Sequence, residues 1–480
     1  MAIQTNRNGR RTPRSATLRF AAAGVAFLTA LAACNADELL TVEDPDVVRL
    51  EALTTKEALP SVRAAVIGEM QVGYAGSGTL EGIAQLAGLL TDELWSSESF
   101  PTRNEIDLRS IQAVNSTLLP IYQRLHRARA TAEVASSRYK ELDPTNTQWA
   151  EVLAMGGYSY LAFAENYCSG VPFSAVNTLT GEFTYGAPET TKQQLDRAVA
   201  KFDSAITIAG PNSTFGRLAR IGKARAQLGL NDIAGAAATV GAGANGATAI
   251  PSDFAYDVQH SENSSRQYNG IFSFAQNSKR FAVADNEGIN GLPYRTEGLV
   301  TGTSEPRLQV YRPAGAAGNG FTASIPLFVT AKYIDRKAPF RLASGVEARL
   351  IEAEAAMRAG NTAGFLTALN AARANARTYA PSTTAPKPAV PAALTAADIP
   401  ATATGQQNLL FKERAYHLFL EGQRLPDLRR LVRQYNRPAE SVFPTGNYFR
   451  GGVYGTDVNF PIPFEEINNP SFTGCIDRKA

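Results

Sequence analysis

Apolar residues return at steps of three and four through most of residues 54–240, and that period commits this part of the chain to packed helices. Leu59, Val62, Val66 and Met70 share one helical face. Leu195, Val199, Phe202 and Ile206 form an i, i+4, i+7, i+11 stripe suited to burial against a neighbouring helix. The same pattern predicts helices over 79–90, 110–142, 146–166, 190–208, 215–228 and 231–240, with a stop at Asp143-Pro144. Ala154, Gly157, Ala162 and Ala205 are small where helices must approach closely. Trp149 opens a strongly patterned helix and reads as core.

The texture changes near Gly241. Residues 241–340 are rich in Gly, Asn, Ser and Pro with scattered aromatics, which predicts long loops with short strands. Helical spacing resumes over 343–359, 362–377, 405–421 and 425–433. A Pro/Ala/Thr-rich surface loop at 380–403 interrupts it, and a turn-rich tail follows from Pro438. The helix pairs resemble tetratricopeptide units, with an imperfect period. The expected class is mostly α: a tetratricopeptide-like α-α repeat frame carrying a loop-rich insertion.

The amino end is of another kind. Arg7, Arg10, Arg11, Arg14 and Arg19 precede an apolar run from Phe20 to Ala30, too short to cross a membrane. Leu31-Ala32-Ala33-Cys34 follows and resembles a bacterial lipobox, in which the Cys34 thiol receives diacylglycerol and becomes the new amino terminus. Residues 1–33 are thus read as a lipoprotein signal peptide and 34–50 as a lipidated tether, with the folded domain over 51–480. Several acyl chains on one cysteine would hold the protein firmly to a membrane. Removing the five leader arginines takes the formal charge from +3 to −2, which gives no reason to expect a nucleic acid partner. Cys168 and Cys475 are the remaining cysteines. An oxidising compartment permits a bridge between them, and two separate thiols are the rival reading.

Three segments of the C-terminal half carry a family resemblance. Arg341–Ala374 reads RLASGVEARLIEAEAAMRAGNTAGFLTALNAARA, and Phe411–Leu431 reads FKERAYHLFLEGQRLPDLRRL. Phe460-Pro461-Ile462-Pro463 is followed by Glu466-Ile467-Asn468-Asn469-Pro470. In this order they resemble the SusD/RagB family. Weaker echoes are Thr91-Asp92-Glu93-Leu94, the loop Glu165–Phe173 and Ser304-Glu305-Pro306-Arg307. Arg349 and Cys168-Ser169-Gly170 depart from the family pattern. The resemblance implies a surface-facing outer-membrane lipoprotein that binds oligosaccharides or peptides. It would deliver them to a SusC-like TonB-dependent barrel, as a binder without cofactor or metal. A tetratricopeptide scaffold lipoprotein of outer-membrane assembly and a secreted glycoside hydrolase are the alternatives.

Sugar rings stack their C–H faces on aromatic faces while hydroxyls meet polar side chains. Trp95, Phe100, Arg103 and Asn104 offer that mixture in a stretch read as a loop after a helix, a region the resemblance implies often faces ligand. Tyr294, Arg295, Tyr311 and Arg312 are expected to form a second wall. Glu413 and Glu421 could serve a hydrolase as an acid/base pair, but their dense charged surroundings read better as structural ion pairs. His126, His260 and His417 show no metal-ligand spacing. Asp285-Asn286-Glu287-Gly288 lacks the rest of a calcium loop. Gly241–Gly246 lacks the strand and helix of a phosphate loop.

Overall fold

The helix over Thr191–Ala209 starts where the sequence period starts. Thr190 accepts a hydrogen bond from Gln193 N, and the Gln193 side chain accepts one from Thr190 N, a reciprocal cap that satisfies orphan helix-end groups. Ser213, Asp232, Ser344, Asn361 and Thr402 cap other helices with a single bond, each side chain accepting from a backbone N–H three residues on. This computed structural model describes residues 54–176, 182–243, 245–300, 305–380, 382 and 384–480. The leader, Cys34, the tether to residue 50 and Ser304 lie outside the described residues.

Fourteen α-helices are found among the described residues. They are α1 (Leu59–Ala75), α2 (Ile83–Leu90), α3 (Pro101–Asp107), α4 (Leu118–Leu142), α5 (Gln148–Asn166), α6 (Thr191–Ala209) and α7 (Thr214–Gly229). Then come α8 (Ile233–Val240), α9 (Gly270–Phe272), α10 (Tyr294–Gly298), α11 (Gly345–Arg358), α12 (Thr362–Ala374), α13 (Ala403–His417) and α14 (Arg424–Gln434). The long helices form a chain of neighbours: α1 packs on α4, α4 on α5, α5 on α6, α6 on α7, α7 on α8, α8 on α11, and α11 on both α12 and α13. The class is mostly α, as the periodicity predicts.

Phe202 shows what holds the frame. Its ring is fully buried between glycines of two other helices. A Cβ on Gly157 would stand 2.7 Å from that ring, and one on Gly222 would stand 2.3 Å from it. Only hydrogen at both positions lets α5, α6 and α7 close on the ring. Burying such a side chain stabilises the fold by about 1.5–3 kcal/mol. The buried face of α6 is Leu195, Ala198, Phe202 and Ala205, rotated slightly from the expected stripe. Val199 and Ile206 are half-buried. Trp149 is also only half-buried, its Nε1–H donating to Ser136 Oγ at 2.8 Å.

The strands are short and pair by twos. They are β1 (Leu94–Ser96), β2 (Val171–Pro172), β3 (Ala175–Val176), β4 (Phe183–Thr184), β5 (Pro188–Glu189), β6 (Ala255–Val258), β7 (Phe281–Val283), β8 (Val310–Tyr311), β9 (Val329–Thr330) and β10 (Phe340–Ser344). β1 pairs antiparallel with β7, placing Trp95 opposite Ala282, and β8 pairs antiparallel with β9. The stretch after Leu94 corrects the loop expectation. It holds a strand and then α3, because Pro101 presets the helical φ at the first turn and needs no donor there.

The charged cluster of the last helices is structural. The Arg424 guanidinium grips Asp92 through two bonds of 2.6 and 2.7 Å. Arg414 pairs with Asp427 at 2.7 Å, and Arg430 with Glu354 at 2.6 Å. Glu413 meets Arg307 at 2.7 Å and Arg373 at 2.5 Å, while Glu421 meets Lys332 at 2.6 Å. Burial alone would raise the Glu413 carboxyl, yet Arg307 holds it well below the usual carboxylate range. Glu413 and Glu421 thus have separate cationic partners and are not an acid/base pair across a cleft. Cys168, after α5, is disulfide-bonded to Cys475 in the tail, with Cα atoms 5.8 Å apart.

Candidate functional site

Alternation along β1 builds the site. Leu94 and Ser96 point inward and are buried, so Trp95 points to the other face and stays half-buried. Across the ribbon Ala282 leaves room, and the Trp95 ring packs against the Ala282–Leu327–Val329 cluster. Its free face stacks on Phe449, with ring centroids 4.7 Å apart and planes 28° apart. The Arg295 guanidinium lies 4.8 Å from the Trp95 ring and 4.4 Å from Phe328, with Asp285 at 3.8 Å. Burial pulls the Arg295 pKa below its ordinary value, and Asp285 partly opposes that.

Phe449 is 41% exposed and sits on an anchored loop. Gly451 and Gly452 turn that loop back with φ of +100° and +84°, angles that other residues rarely adopt. The Tyr448 hydroxyl donates to Asp107 Oδ2 at 2.9 Å, and Arg450 donates to Ser96 O at 3.1 Å. Asp107 also accepts from Ser96 N at 2.6 Å, tying loop, strand and α3 together. Burial pushes the Asp107 carboxyl up to about 6. Burial, then the neighbouring Asp107 charge, holds Glu287 well above its ordinary value. Tyr454 donates to Glu287 at 2.9 Å.

A second aromatic group flanks the first. Phe100 and Phe321 are 52% and 56% exposed. The Arg280 guanidinium lies 4.8 Å from the Phe321 ring and 5.9 Å from that of Phe100. Arg103 lies 5.2 Å from the Phe100 ring. Both arginines are fixed by Glu98, Arg103 at 2.8 Å, and Arg103 also pairs with Glu81. Because Ser97 N donates to Arg280 O at 2.8 Å, this group continues the β1–β7 ribbon that carries Trp95.

The ribbon therefore gathers Trp95, Phe100, Arg103 and Arg295, with Asn104 on α3. Tyr311 packs on the same apolar cluster as Trp95, with its hydroxyl donating to Gln276 Oε1 at 2.9 Å. Tyr294 corrects the expectation. Its ring is fully buried, stacked 5.0 Å from Phe419 and tilted against Tyr416 at 5.6 Å, because it starts α10 on the inner side. It can hold Arg295 in place but cannot face a ligand. Arg312 is exposed and donates to Gly318 O and Asn319 Oδ1, so it serves its own turn. The sequence reading missed Phe321, Phe328 and Phe449. Tyr448-Phe449-Arg450 before Gly451-Gly452, an aromatic-basic triplet at a forced turn, was the available signal.

The polar motifs have structural uses. Asp285 accepts from the N–H groups of Arg295 and Thr296 and so caps α10. His126 is half-buried against Tyr122, Phe163 and Phe173, and the desolvation of its ring keeps it well below its usual pKa. No group of three or more metal-ligating side chains gathers among the described residues. No described helix is long and apolar enough to cross a membrane.

Residues 335–471 match the model of the SusD family. No curated protein matches the chain. A SusD superfamily protein from Bacteroides fragilis superposes with a TM-score of 0.60 at 12% identity, covering 88% of this chain and 99% of that one. Surface glycan-binding protein A from Bacteroides uniformis superposes with a TM-score of 0.59 at 13% identity, again over 88% and 99%. A SusD superfamily protein from Bacteroides vulgatus gives 0.58 at 16% identity with the same coverage. At these identities the likeness speaks for fold, and the matched segment holds all three motifs entire. The chain is SusD/RagB-like, in its C-terminal segment by sequence and through its helical frame by fold.

Proposed function

We propose that this chain is a carbohydrate-binding protein of a nutrient-uptake system, and that the β1–β7 ribbon is where an oligosaccharide lies. The exposed Phe449 ring stacked on Trp95 carries this reading. Exposed apolar ring surface beside guanidinium donors matches the C–H faces and hydroxyls of a sugar ring. The spread from Phe100 and Phe321 to Phe449 suits an oligomer better than a single sugar. A peptide is the other oligomer the family resemblance allows, and its extended backbone would gain less from ring faces.

The leader (1–33), Cys34 and the tether (34–50) complete the proposal. Lipidation at Cys34 would fasten the domain to the outer membrane, facing the cell surface, and a SusC-like TonB-dependent barrel would receive the ligand. The chain would act by binding alone, without cofactor.

Isothermal titration of the mature chain with neutral oligosaccharides and with peptides of matched length tests the ligand class. Saturable heat with an oligosaccharide and none with the peptides is the expected result. Binding of peptides alone would overturn it. In cells, labelled palmitate should enter the full chain and not Cys34→Ser, and a barrel should co-purify with the full chain.

A further inference from the structure

Away from the ribbon, a cavity of about 50 Å³ opens between α5, α7 and α14. Five arginines line it. Three of them are paired in the low-dielectric interior: Arg225 with Glu165 at 2.9 Å, Arg414 with Asp427, and Arg430 with Glu354. Arg429 is not. It is 4% exposed and meets no carboxylate in an ion pair. Its Nη1 donates to the carbonyls of Ala164 and Glu165, at 3.0 and 2.5 Å, near the C-terminus of α5. That helix end offers the equivalent of about half a negative charge, short of the one required.

Two donors at the cavity also lack acceptors: Arg429 Nε and, on a residue only 1% exposed, Arg414 Nη1. Arg433 follows Arg429 by one helical turn, lies at the exposed mouth and makes no ion pair there. Burial first, and then the charge of Arg433, pull the Arg429 pKa down to about 9, so the group still carries its charge at neutral pH. An isolated buried charge is costly, and a buried donor left without an acceptor adds to that cost. A site with a buried guanidinium that lacks an ion pair, two idle donors and open space calls for an anion. A single water needs about 10–15 Å³ of such space, so this cavity takes about three to five waters or one oxyanion.

We propose that the cavity binds a small free oxyanion of phosphate or sulfate size, held by Arg429 and Arg414 and closed in by Arg433. Such an anion would brace the junction of α5, α7 and α14 independently of any ligand on the aromatic ribbon.

The test titrates sodium phosphate and sodium sulfate into the mature chain by calorimetry and thermal unfolding, with sodium chloride at matched ionic strength as reference. Phosphate or sulfate should bind at one site per chain and raise the unfolding midpoint by about 2 °C or more at saturation. Arg433→Gln, a surface change that should leave the fold intact, should weaken binding at least fivefold. Arg429→Lys keeps the charge but removes Nε–H, and should weaken it further. The proposal is overturned if both oxyanions do no more than chloride, which would leave water as the occupant. It is equally overturned if Arg433→Gln and Arg429→Lys both bind the oxyanion as tightly as the parent chain, which would put the anion elsewhere.

Discussion

In the helical frame, arginines sit inside against carboxylates: Arg424 on Asp92, Arg414 on Asp427, Arg430 on Glu354. On the β1–β7 ribbon they lie over rings: Arg295 over Trp95 and Phe328, Arg280 over Phe321, Arg103 over Phe100. The same side chain serves two ends. Buried and paired, a guanidinium fixes one packing of two helices, because every other packing strands a charge. Laid on a half-exposed ring, it keeps its remaining donors near solvent and holds the ring in one pose. Fixed rings cost a ligand less ordering on binding than free ones. The frame supplies rigidity, and the ribbon spends its side chains on a surface.

The contrast can be broken most severely at Arg424. Arg424→Met leaves the buried Asp92 charge unpaired and should destabilise the fold by about 3–5 kcal/mol in denaturant unfolding. A loss under 1 kcal/mol would mean the pair is ornamental. The double variant Cys168→Ala, Cys475→Ala frees the tail from the end of α5 and should lose about 2–4 kcal/mol. Gly222→Ala drives a methyl group onto the Phe202 ring and should lose about 1–3 kcal/mol.

Glu93 sharpens the comparison through pH. It is buried beside the Arg424–Asp92 pair, and burial, opposed by the bond from Leu420 N at 2.8 Å, pushes its carboxyl up to about 8. The folded state therefore holds a proton at neutral pH that the unfolded chain has released. Stability from this group is full below the unfolded value near 4.5 and is lost as pH rises to about 8, at about 1.4 kcal/mol per pH unit. Glu93→Gln, neutral at every pH, should gain on the parent across that window. A constant difference between the two would show Glu93 to be ionised in the fold.

Much of the frame was legible in the sequence because helices declare themselves locally, by period and by cap. The expected 190–208 and 215–228 lie within one residue of α6 and α7. The first residues of the long helix expected from 110 instead form turns before Leu118, since Gln112–Thr117 supply turn-forming polar groups: Asn115 accepts from Thr117 N at 3.0 Å. The ribbon was legible only in part. Trp95, Phe100, Arg103 and Arg295 were readable as residues of the right chemistry. Their partners Phe321, Phe328 and Phe449 come from loops far along the chain, and no local pattern joins such positions. Tyr294 misled because it adjoins Arg295 in sequence while α10 turns the two side chains to opposite sides. Arg429 lies in the same charged stretch of sequence as Arg424 and Arg430, and nothing in a helical period says which of several arginines will lack a carboxylate.

The most direct test of the account is the affinity of Trp95→Ala and Phe449→Ala for the oligosaccharide that the parent chain binds best, measured by calorimetry alongside each variant's unfolding midpoint. The account predicts that either change weakens binding at least tenfold, about 1.4 kcal/mol, while Phe449→Ala leaves the midpoint close to that of the parent. Unaltered affinity in both folded variants would contradict it, and would place the ligand somewhere other than the ribbon.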